Sequence, residues 1–279
     1  MNSNPLSKFF RQPAIYTRLP SGGKGWAPGT IKIPDNGELP VLPMTAIDEI
    51  TYRTPDALFN GEAVTSVLQS CVPCIADAWA TPSTDLDVLL VAVRIASYGH
   101  EMDIGSQCPS CGEEHDFGLD LRTVIDNLKA SDFDKTLSQG DLTFYFRPLN
   151  YREMTNNSLQ QFEQQKILQQ INGDESRDET EKVSHLNAMM RKLVEVTVRA
   201  MAQSITEIRT PEAIVTEQDL IEEFLNNCDR VLFNNVRDYV IKLREDSELR
   251  PLEISCPSCQ HQYKQAFTLD MANFFAPAS

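Results

Sequence analysis

Cys108-Pro109-Ser110-Cys111 and Cys256-Pro257-Ser258-Cys259 decide how this chain is read. Each C-P-S-C is a tight turn that aims two thiolates at one point, and two such turns supply the four ligands of a tetrahedral zinc site. The residues that follow run in parallel. Phe117, Leu119, Asp120 and Leu121 come after the first turn, and Phe267, Leu269, Asp270 and Met271 after the second. Met102 and Ile104 precede one turn, Leu252 and Ile254 the other, which gives each the pattern of a β-hairpin tip. Roughly 140 residues separate the halves, outside any standard finger spacing. The expectation is a split zinc ribbon in which one structural zinc, held by Cys108, Cys111, Cys256 and Cys259, staples the end of the chain to its first half.

Four cysteines leave no coordination position for water, so a structural metal is favoured over a catalytic one. The alternative is two unrelated pairs forming disulfides or redox motifs. Against it, no βαβ pattern of a thioredoxin surrounds either pair, and the N-terminal Asn, Ser and Pro residues do not form a secretory leader, so synthesis in a reducing cytosol is expected. His115 and His261 lie near enough to replace a thiolate, although each turn already has its own pair. A third C-x-x-C, Cys71 and Cys74, reads differently. Cys71 continues the helical stripe of Val64, Val67 and Leu68 and behaves as a small buried hydrophobe.

The 279 residues carry a formal net charge of −15. The first 34 hold Lys8, Arg11, Arg18, Lys24 and Lys32 with no acid, leaving 20 basic and 40 acidic side chains on the remainder. Nucleic-acid binding depends on Lys and Arg neutralising phosphates, so this acidic body points to protein partners instead. The longest apolar run, Leu86 to Ala96, is too short to span a bilayer and contains Asp87 and Arg94.

Four segments follow from the pattern. Residues 1–45 are Pro- and Gly-rich yet keep Phe9, Phe10, Tyr16 and Trp26, which suits an extended N-terminal arm lying across its own body or a neighbour's. Ser21-Gly22-Gly23-Lys24-Gly25 within it lacks P-loop spacing. Residues 46–120 form a helical core ending in the first knuckle, with an apolar helix up to Gly99 in which Arg94 either snorkels or pairs with Asp85 or Asp87. Residues 121–250 form a helical insertion with a short strand region at Leu142 to Phe146. Asp174 to Lys182 is a charged link there, and the Leu186 to Ala200 stripe is a long helix ending before Pro211. Residues 251–279 bring the second knuckle and a tail. The fold class is α+β, mainly α. No G-x-S-x-G, H-E-x-x-H or dinucleotide fingerprint occurs, and only four histidines are present, so no enzyme is expected.

The runs Asp35 to Glu49 (DNGELPVLPMTAIDE), Thr54 to Ala63 (TPDALFNGEA), Ser70 to Ile75 (SCVPCI) and Asp85 to Gly99 (DLDVLLVAVRIASYG) lead into the first C-P-S-C. With Arg147-Pro148-Leu149-Asn150-Tyr151 and the second C-P-S-C, they resemble the baseplate hub family of contractile-tailed, T-even-like bacteriophages. That resemblance implies a non-enzymatic structural or assembly component of the tail baseplate hub. It would be made in the host cytoplasm, bind other baseplate proteins and reside in the virion. An assembly chaperone that leaves before the virion is complete, and a zinc-ribbon regulator of nucleic acid or polymerase, are the other classes.

Overall fold

The computed structural model describes residues 4–54, 60–129, 132–173, 179–246, 249–265 and 274–275, with no side-chain description at 168–173, 179–183 and 185. The chain divides into two compact units: Met1–Ala130 with Ser247–Ser279, and Ser131–Asp246. The first unit begins with a 3-10 turn (Ser7–Phe9), strands β1 (Ile15–Thr17) and β2 (Leu39–Val41), and helices α1 (Ala46–Tyr52), α2 (Glu62–Cys71) and α3 (Ser83–Tyr98). Strands β3 (Glu101–Gln107) and β4 (Glu114–Asp120) and helix α4 (Leu121–Asn127) complete its first portion. The second unit holds β5 (Leu137–Gln139), β6 (Leu142–Phe146), α5 (Tyr151–Gly173), α6 (Glu179–Ser204), β7 (Ile205–Arg209), β8 (Ile214–Val215), α7 (Gln218–Asn227) and α8 (Arg230–Glu245). The chain then returns to the first unit with β9 (Leu252–Ser255) and β10 (Gln262–Gln265). Fewer than half of the described residues are α-helical, so the class is α+β.

Helix α3 is the centre of the first unit because its side chains are apolar nearly all round: Leu86 and Val88 to Val93 are all buried. Gly99 stops it at φ +88°, a left-handed conformation that other residues enter at a cost. Arg94 in this helix neither snorkels nor pairs with Asp85. Its Nε donates to the Phe274 carbonyl at 3.0 Å, and its guanidinium lies 4.7 Å over the Tyr98 ring. Asp85 is occupied by the N-terminal segment: it accepts from the Ser21 backbone N–H (2.9 Å), Ser21 Oγ (2.5 Å) and Trp26 Nε1 (2.8 Å).

The N-terminal segment is extended, and it lies on its own unit. An extended chain must satisfy its backbone groups elsewhere. Here β1 pairs antiparallel with β2, Ile15 opposite Val41 and Thr17 opposite Leu39. The Lys32 N–H donates to the Cys74 carbonyl and the Ala76 N–H to that of Thr30. Arg11 is the main clamp. It donates to the carbonyls of Pro43 (2.6 Å) and Ser70 (2.7 Å) and to Ser70 Oγ (2.7 Å), and pairs with Asp48 at 3.2 Å. Asp48 simultaneously closes the capping box of α1 with Thr45. Two cations that a docking arm would use, Arg11 and Arg18, are thus engaged with Asp48 and Glu38. Leu6, Phe9, Phe10 and Tyr16 remain exposed.

The second unit is built on a four-stranded antiparallel sheet ordered β5-β6-β7-β8. Phe144, Phe146, Ile205 and Ile208 from the sheet join Val198 and Met201 of α6, Ile221 and Leu225 of α7, and Val236, Val240 and Leu243 of α8 in one core. The long helix stops at Ser204, because Ile205 and Ile208 stand opposite Phe146 and Phe144 across the sheet. Most of this sheet was missed in the sequence: β7 is short, and it continues directly from the helical stripe. The charged link is shorter than expected too. Glu179 to Lys182 belong to α6, while 174–178 lie outside the described residues.

Candidate metal centre

The two C-P-S-C turns form by the same local rules. Strands β3 and β4 pair in register from Glu101 opposite Asp120 to Gln107 opposite Glu114, and Cys108 follows at the tip. Strands β9 and β10 pair from Leu252 opposite Gln265 to Ser255 opposite Gln262, and Cys256 follows. In the first turn the Cys108 N–H donates to the Glu113 carbonyl and the Gly112 N–H to the Cys108 carbonyl, both 2.9 Å. In the second the Cys256 N–H donates to the His261 carbonyl and the Gln260 N–H to the Cys256 carbonyl, also 2.9 Å. Each turn closes through a left-handed residue, Gly112 at φ +74° and Gln260 at φ +59°.

These turns face each other. The four Sγ atoms of Cys108, Cys111, Cys256 and Cys259 lie within 4.8 Å of one another. Cys108 Sγ is 3.6 Å from Cys259 Sγ, and Cys111 Sγ is 3.7 Å from Cys256 Sγ. A tetrahedron with metal–sulfur bonds of about 2.3 Å has sulfur–sulfur edges of about 3.8 Å. The donor set and its spacing therefore fit one tetrahedral metal ion. Burial follows a two-fold pattern: Cys108 and Cys256, first in each turn, are buried, while Cys111 and Cys259 are exposed. Each contact joins a buried cysteine to an exposed one.

Thiols this close share their charge. The Cys111 N–H, helped by that of Ser110 and by the thiols of Cys111 and Cys259, pulls Cys108 down to about 6 against burial. Cys111 also receives a backbone N–H, from Glu113, but burial and its three thiol neighbours push it up to about 12. Without a cation, Cys108 holds a thiolate readily and Cys111 resists one. A divalent metal removes that resistance, because each further thiolate then faces a positive charge.

Polar contacts reinforce the joint. Ser258 Oγ donates to Glu113 Oε2 at 2.5 Å and lies 3.2 Å from His115 Nε2, across the two turns. Ser106 Oγ on β3 meets Tyr263 OH on β10 at 2.9 Å and donates to Gln265 Oε1 at 2.7 Å. The sequence pattern carried no sign of these links: Ser110 and Ser258 occupy equivalent places, yet the hydrogen bond described across the turns belongs to Ser258. Both histidines stay outside the sulfur cluster. His115 engages Ser258, and the His261 ring stacks on Tyr263 with centroids 6.2 Å apart. Serine, histidine and glutamate do not make a catalytic triad here, because Glu113 approaches the same nitrogen, Nε2, that faces the serine.

Cys71 and Cys74 do not join this cluster. Cys71 is buried on α2 with its thiol pushed up to about 12 by burial and then by Asp48. Phe267, Leu269, Asp270 and Met271, which extend the resemblance between the turns, lie outside the described residues. Among the described residues, no helix is long and apolar enough to cross a membrane.

Searches of curated proteins and of solved structures return no significant match. The family model described as T4 bacteriophage base plate protein matches residues 30–276, a span that takes in both cysteine turns and everything between them. On the strength of that match over most of its length, the chain belongs to the T4 bacteriophage base plate protein family.

Proposed function

We propose that this protein is a structural or assembly component of the phage tail baseplate hub, bound to other baseplate proteins, with one structural zinc per chain on Cys108, Cys111, Cys256 and Cys259. The observation that carries the metal is the convergence of four thiols from opposite ends of the chain. Soft thiolates in a tetrahedral set suit zinc or iron, and the closed four-sulfur arrangement suits a structural ion. Zinc is the choice because it has no redox chemistry of its own to protect from solvent at the exposed Cys111 and Cys259. Family membership supports the place in the baseplate and, with it, the virion tail as the location. The resemblance noted in the sequence supports the hub.

A non-enzymatic role agrees with a metal that offers no open position and with the geometry at Ser258 and His115. The first hairpin argues against nucleic acid: Glu101 to Asp120 contains Glu101, Asp103, Glu113, Glu114, Asp116 and Asp120 and no Lys or Arg. Elemental analysis of protein purified without chelator tests the metal, with one zinc per chain expected and none in Cys256→Ser. Mass spectrometry of purified virions tests the location. Detection at a fixed stoichiometry supports a resident component, and its loss on tail completion assigns the chaperone role instead.

A further inference from the structure

The four thiols are arranged for a second kind of staple. Two sulfur–sulfur hydrogen bonds run between the turns, Cys108 to Cys259 at 3.6 Å and Cys111 to Cys256 at 3.7 Å. Each contact joins one exposed cysteine to one buried cysteine. An oxidant from solvent reaches the exposed member first, and the buried member then sits beside it as the resolving thiol. We propose that the site is a redox-convertible staple, in which oxidation of Cys111 and Cys259 by a peroxide closes two cross-turn disulfides, Cys108–Cys259 and Cys111–Cys256, and keeps the two ends of the first unit joined without metal.

The chemistry balances with hydrogen peroxide as the named oxidant. The exposed thiolate of Cys259 attacks the peroxide O–O bond, giving a sulfenic acid, and the departing hydroxide takes up a proton to leave as water. The Cys108 thiolate then attacks the Cys259 sulfur, the S–S bond forms, and the sulfenic hydroxyl leaves with a proton as a second water. Each peroxide is reduced by two electrons, and each pair of thiols is oxidised by two. At the other pair Cys111, once deprotonated, attacks a second peroxide and the Cys256 thiolate resolves the sulfenic acid; metal ligation would supply Cys111 in that thiolate form. A dication held by the four thiolates would lose its ligands in the process and leave. The residues between the sulfurs make the outcome consequential. The bridged positions are 151 and 145 residues apart, so each disulfide closes a long loop through the whole second unit. A disulfide within one C-P-S-C turn would close a short loop and leave the hairpins untied.

This inference uses the thiol cluster of the proposed metal site, and its test reads the two separately. Full-length protein is assayed for zinc, then divided into an untreated and a chelator-stripped portion, and both are exposed to graded hydrogen peroxide. Free thiols are alkylated under denaturing conditions and the digest is mapped by mass spectrometry. The expected product is a linked pair, the fragment carrying Cys108 and Cys111 joined to that carrying Cys256 and Cys259. About four hydrogens are lost per chain, and zinc release follows linkage in any zinc-loaded portion. In Cys259→Ser, one linkage remains and the alkylated residue is Cys108. Unlinked fragments with disulfides inside each turn, links between chains, or sulfinic acids without disulfide overturn the proposal, as does alkylation of Cys111 in Cys259→Ser. Protein that purifies without zinc yet gives the linked pair rejects the zinc assignment and keeps the staple.

Discussion

Each compact unit of this chain combines apolar burial with point contacts, in different proportions. The second unit gathers twelve buried residues, from three helices and two strands, into one apolar core. Its stability comes from area removed from water, spread over many side chains. The first unit is assembled from sequence-distant pieces: an N-terminal strap, four α-helices and two separate two-stranded hairpins, the second of them on the C-terminal return. It too has an apolar core, around α3 with Val67, Leu68, Leu89, Leu90 and Phe274 buried, but its distant pieces are also joined at points: the meeting of four sulfurs, the Arg11 clamp, the Asp85 carboxylate and the Phe274 carbonyl on Arg94. Two-stranded hairpins are marginal alone, so β3–β4 and β9–β10 need that point joining. A core degrades gradually when one residue is trimmed, whereas a joint fails when one ligand is lost.

The largest effect separates the units most sharply. Structural zinc in small peptides contributes about 10–16 kcal/mol of apparent binding free energy, comparable to the stability of a whole domain. Chelation, or Cys256→Ser under reducing conditions, should free residues 249–265 to proteolysis and lower the melting transition of the first unit. The transition of residues 131–246 should stay in place. A single transition that moves as a whole on chelation would break the contrast. Next comes Phe144→Ala in the second unit, expected to cost about 3–5 kcal/mol by leaving a cavity beside Ile208 and Phe224. Zinc content should be untouched.

Arg11→Ala should cost the first unit about 2–3 kcal/mol, since charge-assisted hydrogen bonds to Pro43, Ser70 and Asp48 go together. The loss should shrink in acid. Burial raises the Asp48 pKa, but the backbone and hydroxyl of Thr45, then Ser70 and Arg11, bring it below the ordinary carboxylate value. Its stabilisation is therefore present above the unfolded pKa and is lost as pH falls through the lower folded one. Denaturant titrations of wild type and Arg11→Ala should converge as pH drops below about 4; a gap that widens would reverse the assignment. The smallest effect sharpens the comparison within the metal centre itself. Gln260 adopts the same left-handed conformation as Gly112, at a cost that glycine avoids. Gln260→Gly should stabilise by roughly 0.5–1 kcal/mol after the entropy glycine adds to the unfolded chain. Gly112→Ala should destabilise despite open space around its Cβ position.

The sequence made the four cysteines of the cluster legible because C-P-S-C carries its geometry locally: a tight turn needs only its own residues to aim two sulfurs. The helix through Leu86 to Ala96 was legible for the same reason, as its apolar periodicity lies within one element. The Arg94 partner was not. A carboxylate seven or nine residues away, Asp87 or Asp85, is the local expectation, but Asp85 is claimed by Ser21 and Trp26, and the arginine turns to a carbonyl near the other end of the chain. Strand β7 was hidden because its apolar residues, Ile205 and Ile208, are three apart, a spacing that continues the helical stripe and reads as a strand only opposite Phe146 and Phe144. The N-terminal cations were legible as charge, yet where that charge goes depended on Asp48 and Glu38. By itself, then, the sequence determined which residues can ligate a metal, which helices form and which segment is extended, since these follow from local sterics, periodicity and donor type. Only the tertiary structure decided that the two turns meet, that the basic segment binds its own unit, and which buried charge finds which partner. Those outcomes are a competition among groups distant in sequence, settled by which contacts satisfy the most buried polar atoms at once.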